Sequence, residues 1–294
     1  MKTFLRTGVA VLALAVLGFA GCKKAVEEAK DTVVSAEDNV FAETAMASAF
    51  DVIDDVGTTD GKVMKSGSTI LPGGAILNFT DSTYSDGDGV EFNVDFGNYD
   101  ANAAMKGLLC PDGRYRAGKI FISVSDHYLN VGTILTATFN DDASAYYCGN
   151  GLSMTKVTGE LKVTRSAQNQ VKIVVSNGKA VYEQGTVEFH SDRTVTRTVG
   201  QGQPGSMGDE YEITGSGGGK NRDGEEYTTS ITEKLVKKIQ DGCADTFIKG
   251  KIELTNTSSG AVLKIDFDPG NNAACDKTVQ VTLPNGLKKS VTVK

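Results

Sequence analysis

Five cysteines and two histidines are the side chains of this 294-residue chain best suited to nucleophilic or metal chemistry. A zinc site draws its thiolates and imidazoles from closely spaced pairs. Cys110, Cys148, Cys243 and Cys275 are scattered instead, and His127 and His190 lie apart from them, so no metal centre is expected. A hydrolytic triad needs a nucleophile beside a histidine that a carboxylate orients. His127 follows Asp126 at a strand end, and His190 stands between Phe189 and Ser191 where it should share a polar face with Glu188. Neither has a nucleophile-elbow setting, and no catalytic residue is assigned. A carboxylate pair of the glycosidase type needs no sequence spacing, and nothing in the pattern favours one. Gly219-Lys220 in TGSGGGKNRDG invites comparison with a phosphate loop, but Thr214 and Asn221 stand where that loop needs Gly and Ser or Thr, and a strand follows instead of a helix. A turn is the expectation there, and no cofactor is expected. Two acidic loops, with Asp81, Asp86 and Asp88 in one and Asp266 and Asp268 in the other, offer calcium the right oxygen donors. Asp86 takes the sixth place, where an EF-hand requires Gly, and Gly with Asp is also what β-turns demand.

The fifth cysteine needs the segment in front of it. Residues 1 to 21 carry Lys2 and Arg6, an apolar stretch from Gly8 to Phe19 and the small pair Ala20-Gly21, the three-part layout of a secretory signal. Its apolar run is too short to cross a bilayer, which takes about 20 residues. Phe19-Ala20-Gly21-Cys22 resembles the lipobox of bacterial lipoproteins, with Phe where leucine is usual. That resemblance implies cleavage before Cys22 and acylation of its sulfur, making the membrane a partner through acyl chains. Lys23 comes next, where an aspartate would signal inner-membrane retention in enteric-type sorting, so the expected destination is the outer membrane of the cell envelope.

Without the signal the chain holds 28 basic against 37 acidic residues, a net charge near −9. An acidic domain with no cluster of Lys and Arg repels nucleic acid, and that function class is set aside. Four cysteines remain in an exported chain, an even number that reads as two disulfides among three connectivities.

These residues must be held by β-structure. Residues 23 to 36 read as a charged, Ala-rich tether, and Phe41, Ala45, Ala49, Ile53 and Val56 then recur at helical steps between acids, an amphipathic helix ending at Gly57. Beyond it the period becomes two. Val90, Phe92, Val94 and Phe96 alternate with polar residues, as do Leu161 with Val163, and Leu263, Ile265 and Phe267. Ten or more strands with Gly, Asn and Asp turns predict a mainly β fold, an antiparallel sandwich or rolled sheet, with that one N-terminal helix packing on it. The expected core also includes Ile120, Ile122, Val124, Leu135, Val187, Phe189, Val279 and Val281.

Residues 90 to 124 and 262 to 293 echo each other: strand, Asp-Phe, Gly-bearing loop, Cys near Asp, strand. This suggests two related β halves, 58–205 and 206–294, after the signal (1–21) and the lipidated tether and helix (22–57). Keeping each crosslink within its own half selects Cys110–Cys148 and Cys243–Cys275. The order of these pieces, with ITGSGGGKNRDGEEYTTSI, FIKGKIEL and IDFDPGNNAACDKTVQVTLPNG, resembles a group of β-rich lipoproteins of unassigned activity common in Bacteroidota. In that group the first-half loop cysteine has an upstream partner, and the matching SGSTILPGGAIL has none. The expectation is a non-enzymatic structural or interaction protein anchored in the envelope. Its rivals are a hydrolase and a glycan- or peptide-binding surface, for which Tyr115, Tyr128, Tyr146 and Tyr147 are the candidates.

Overall fold

A computed structural model describes residues 18–59, 69–203, 205–244 and 246–292, with side chains of its helix from Val33 onward. Most of the signal segment therefore lies outside the described residues, as does the Cys22 side chain. Helix α1 spans Gly18–Thr58. The strands are β1 (Ile76–Asp81), β2 (Val90–Asp95), β3 (Leu108–Leu109), β4 (Tyr115–Ala117), β5 (Lys119–Val124), β6 (Ile134–Phe139), β7 (Tyr146–Gly149) and β8 (Met154–Ala167). They continue with β9 (Gln170–Tyr182), β10 (Gly185–Val199), β11 (Glu210–Lys220), β12 (Glu226–Lys238), β13 (Lys249–Asn256), β14 (Val262–Asp266), β15 (Thr278–Thr282) and β16 (Lys288–Thr292).

All sixteen belong to one antiparallel sheet, mostly in chain order, which does not close. The small strands β3, β4 and β7 branch from its main path beside β8. Period-two alternation does the sorting: β2 buries Val90, Phe92 and Val94 and turns Glu91 outward, and every core residue expected from the sequence is buried. The Gly-rich stretch at 215–219 is not a turn but part of β11, paired residue by residue with β10; the turn is 221–224, where the Gly224 N–H donates to the Asn221 carbonyl. The sheet also runs unbroken through β10 and β11 on either side of residues 199–210.

Helix α1 differs from the expectation in length and in exposure. The expected tether is helical and continuous with it, and from Val33 to Thr58 no residue is exposed. The sheet curls around the helix, whose contacts extend from β7 to β11 and on to β13 and β14. Ala36, Ala42, Ala45 and Ala49, strong helix formers with small side chains, let the strands come close. Gly57 is not an end cap: a Cβ there would stand 2.7 Å from the Tyr128 ring, so glycine makes room for the tyrosine. The Thr58 and Thr59 hydroxyls donate to the Asp55 and Val56 carbonyls and close the last turn. Among the described residues no helix is long and apolar enough to cross a membrane.

Candidate functional site

A helix buried on all sides has to bury its acids too, and each charge taken out of water needs a partner. Asp51 meets Lys237 at 2.6 Å, both buried. Burial pushes the Asp51 carboxyl up to about 6 against the pull of Lys237, and it pushes the lysine down. Both partners are driven toward their neutral forms. Arg116, wholly buried, makes two hydrogen bonds to Asp112, at 2.8 and 2.7 Å, and a third to the Ser48 hydroxyl of the helix at 3.1 Å. Burial alone would raise the Asp112 carboxyl; the guanidinium outweighs it and holds the group below the ordinary carboxylate range. Glu43 pairs with Arg193, while Arg222 reaches Glu37 and Asp38. Buried and half-buried cations of the sheet thus grip one helix along its length.

The densest chemistry lies at the C-terminal end of α1. Arg165 of β8, Val171 of β9 and Val195 of β10 stand in one inward-facing row, with Arg197 and Tyr211 paired in the next. Phe50 and Asp54 of the helix face them across a cavity of about 100 Å³, whose mouth carries Leu129, Gln168 and Gln201 from the adjoining loops. Asp54 spends its oxygens on tyrosines: Tyr128 donates to one at 2.8 Å and Tyr211 to the other at 2.7 Å. Arg165 stays 3.8 Å from that carboxylate, lies over the Tyr128 ring at 4.3 Å and donates to the Gln168 carbonyl at 3.1 Å. Arg197 pairs with Asp209 and donates to the Gly205 carbonyl at 2.6 Å. Burial lifts Asp209 to about 6, more than Arg197 lowers it. Two cations near the last turn of a helix also meet the negative end of its dipole.

Other residues singled out from the sequence fall elsewhere. Cys243 and Cys275 are bonded, with Cα atoms 4.9 Å apart. The expected Cys110–Cys148 bond is absent, and both thiols are free and buried. The reason is the register: Cys148 pairs with Arg116 of β4, and Cys110 lies beyond that strand, its N–H donating to the Arg114 carbonyl. Two inter-strand steps of about 4.8 Å exceed the Cα separation a disulfide spans, about 7 Å at most. Tyr128 and Tyr146 are buried and offer no binding face. Tyr115 and Tyr147 are half-buried on the outer face, where Tyr99 stacks on Tyr147 at 3.9 Å between centroids. His127 is exposed beside Tyr84, at 4.2 Å between rings, and the exposed His190 ring lies near where a Cβ on Gly218 would be. The Asp81, Asp86 and Asp88 carboxylates converge within 4.8 Å. Asp266 and Asp268 instead accept backbone N–H groups of their own loop.

Sequence reasoning missed Arg165, Arg197 and Asp54. The available signal was weak: arginines at positions whose strand neighbours, Val163 and Val195, face the core. No protein-family model matches the chain, and neither does any curated protein or solved structure.

Proposed function

We propose that this chain is a lipid-anchored, non-enzymatic structural or interaction protein of the cell envelope, held at the outer membrane by acyl chains on Cys22. The observation that supports this reading is the continuity of α1, which includes Cys22 and runs on into the centre of the sheet. An anchor on that helix is mechanically part of the domain. About 11 residues of helix from Cys22 to Val33, where the sheet covers it, would stand the sheet roughly 16 Å off the lipid. Two or more acyl chains give stable attachment where one is marginal. The test is metabolic palmitate labelling with detergent phase separation. The wild type should be labelled and partition into detergent, whereas Cys22→Ser should be unlabelled and soluble; label persisting in the variant defeats the reading.

A second reading, a glycan-binding outer face, is favoured by the Tyr99–Tyr147 stack beside Tyr115. Tyrosine rings supply apolar area with a polar tip, which suits sugars. Glycan retention lost in Tyr147→Ala and Tyr115→Ala would support it, and retention unchanged in both would remove it.

A further inference from the structure

The open sheet ends in two edge strands that are built differently. At one, β16 carries the exposed Lys288 and Lys289, and Lys289 pairs in register with the buried Val281, so a charge stands in the inward-facing row. Edge lysines and inward charges both discourage a further strand from adding. At the other, β1 pairs only with β2 and contains no lysine, arginine or proline. Its Phe79 pairs with the buried Phe92 and stacks on it at 5.1 Å, yet stays 42% exposed because no strand lies beyond. Ile76 is 58% exposed. The far side of β1 is thus an unblunted row of ladder N–H and C=O groups beside an uncovered aromatic ring.

One end of this edge is acidic. Asp81, Asp86 and Asp88 converge within 4.8 Å, with Glu91 in register opposite Asp81, and none of the four has an ion pair among the described residues. Asp86 beside it pushes the Asp88 carboxyl above its ordinary value, as like charges held together without a cation do. We infer that the β1 edge binds an extended segment of a partner protein that begins with Lys or Arg residues and continues with apolar residues at alternate positions. Paired antiparallel, its basic start lies at the Asp81 end and its apolar side chains cover Phe79 and Leu77. Main-chain bonds supply affinity and the alternate side chains specificity. This rests on the reading of the chain as an interaction protein and adds the partner's chemistry.

A second copy has the right residues in β16, Lys288 and Lys289 before Val291, but the wrong direction. With β3, β4 and β7 off the main path, that path holds an odd number of strands, each antiparallel to the next, so β1 and β16 run the same way. Helix α1 runs along β10, meeting Arg193 at Glu43 and Arg197 near Asp54. A copy pairing antiparallel through either edge would point its helix, and the acyl chains on it, away from the membrane that holds the first.

The test is a fluorescence anisotropy titration of the full lipidated chain, in detergent with EDTA, against the labelled peptide Lys-Lys-Thr-Val-Thr-Val-Thr. Binding should saturate with a Kd below about 100 μM, and Glu-Glu in place of Lys-Lys should weaken it about tenfold or more. The exposed double variant Asp86→Lys with Asp88→Lys should weaken the basic peptide by a similar factor and strengthen the acidic one, with circular dichroism unchanged. N-Methylation separates strand pairing from charge attraction, because only every second amide of an added strand faces β1. Methylating one alternate set should abolish binding and methylating the other should spare it. Failure to saturate by about 1 mM, equal affinity for the acidic peptide, unchanged affinity in the double variant, or equal losses from both methylated sets would each overturn the assignment. So would sedimentation showing dimers that Phe79→Lys disperses, which gives the edge to a second copy. Palmitate labelling of Cys22 is blind to all of these outcomes, so the anchor stands or falls separately.

Discussion

Two parts of the sheet repeat one local motif. In the first, the Asp95-Phe96 end of β2 runs beside Gly118-Lys119 at the start of β5; in the second, Asp266-Phe267 at the end of β14 runs beside Gly250-Lys251 in β13. The Phe96 N–H donates to the Gly118 carbonyl at 2.9 Å and the Phe267 N–H to the Gly250 carbonyl at 3.0 Å. Asp95 and Asp266 each accept the N–H two residues on. Both phenylalanines are buried, and both glycines have positive φ, 78° and 116°. The order along the chain is reversed, since Asp-Phe comes first in one copy and Gly-Lys first in the other. The segments after Asp-Phe also differ: residues 97–117 carry the hairpin β3–β4 and dock on α1 through Asp112 and Arg116, whereas 268–277 form a short loop stapled through Cys275. The same local motif is therefore secured once by buried charge and once by a covalent bond. The motif sets the strand pairing, and the surroundings set the fastening.

The largest effect should separate the two fastenings. Asp112→Ala leaves Arg116 buried without its acid and should cost about 3–5 kcal/mol, whereas Asp268→Ala, which removes a half-buried acceptor of loop N–H groups, should cost only about 1 kcal/mol. Urea melts of the two variants measure this, and equal losses would erase the contrast. Next in size, Cys243→Ser with Cys275→Ser should lose about 3–4 kcal/mol in the chain-entropy account of a loop this long, with sequence separation 32. In the denatured acylated protein a thiol assay should count two groups, Cys110 and Cys148; a count of none would restore the symmetrical pairing.

Gly118→Ala and Gly250→Ala sharpen the likeness instead. Each forces a side chain into a backbone conformation that L-residues resist and toward a neighbouring carbonyl, of Ala145 or Lys234. Each should cost about 1–3 kcal/mol, and a variant neutral at only one position would mean the motifs are not equivalent. The smallest net effect is on pH dependence, because two signs oppose. Asp51, raised to about 6, adds stability that is full below its unfolded value near 3.8 and is lost as pH rises through about 6. Asp112, held low, adds stability present above 3.8 that is lost only in more acid solution. Carbon-13 titration of the carboxyl carbons should show Asp51 protonating near 6 and Asp112 still ionised at 3.8.

Much of this architecture was legible in the residues. Alternation at Phe92, Val94 and Phe96, and again at Leu263, Ile265 and Phe267, marks strands because strand side chains alternate faces wherever the strand lies. The core residues, the helix and the Cys243–Cys275 bond belong to the same class. The echo of Asp-Phe in the two halves was legible too, but the pairing of Cys110 was not, because the strand that separates it from Cys148 comes from the register of β4 and β7. The acids of α1 read as a wet face by their period, and so they would be on a flat sheet.

Residue order alone dictates a local alphabet: a signal-like segment ahead of Cys22, one helix, many half-buried strands and their turns. It took the assembled sheet to enclose the helix, turning Asp51, Asp54 and Asp55 from surface charges into buried ones and bringing Arg165 and Arg197 to one cavity. Periodicity reports which side chains share a face, a property of a few neighbouring residues. Whether that face meets water or another element depends on the accumulated twist of many strands, and no short stretch of sequence contains it.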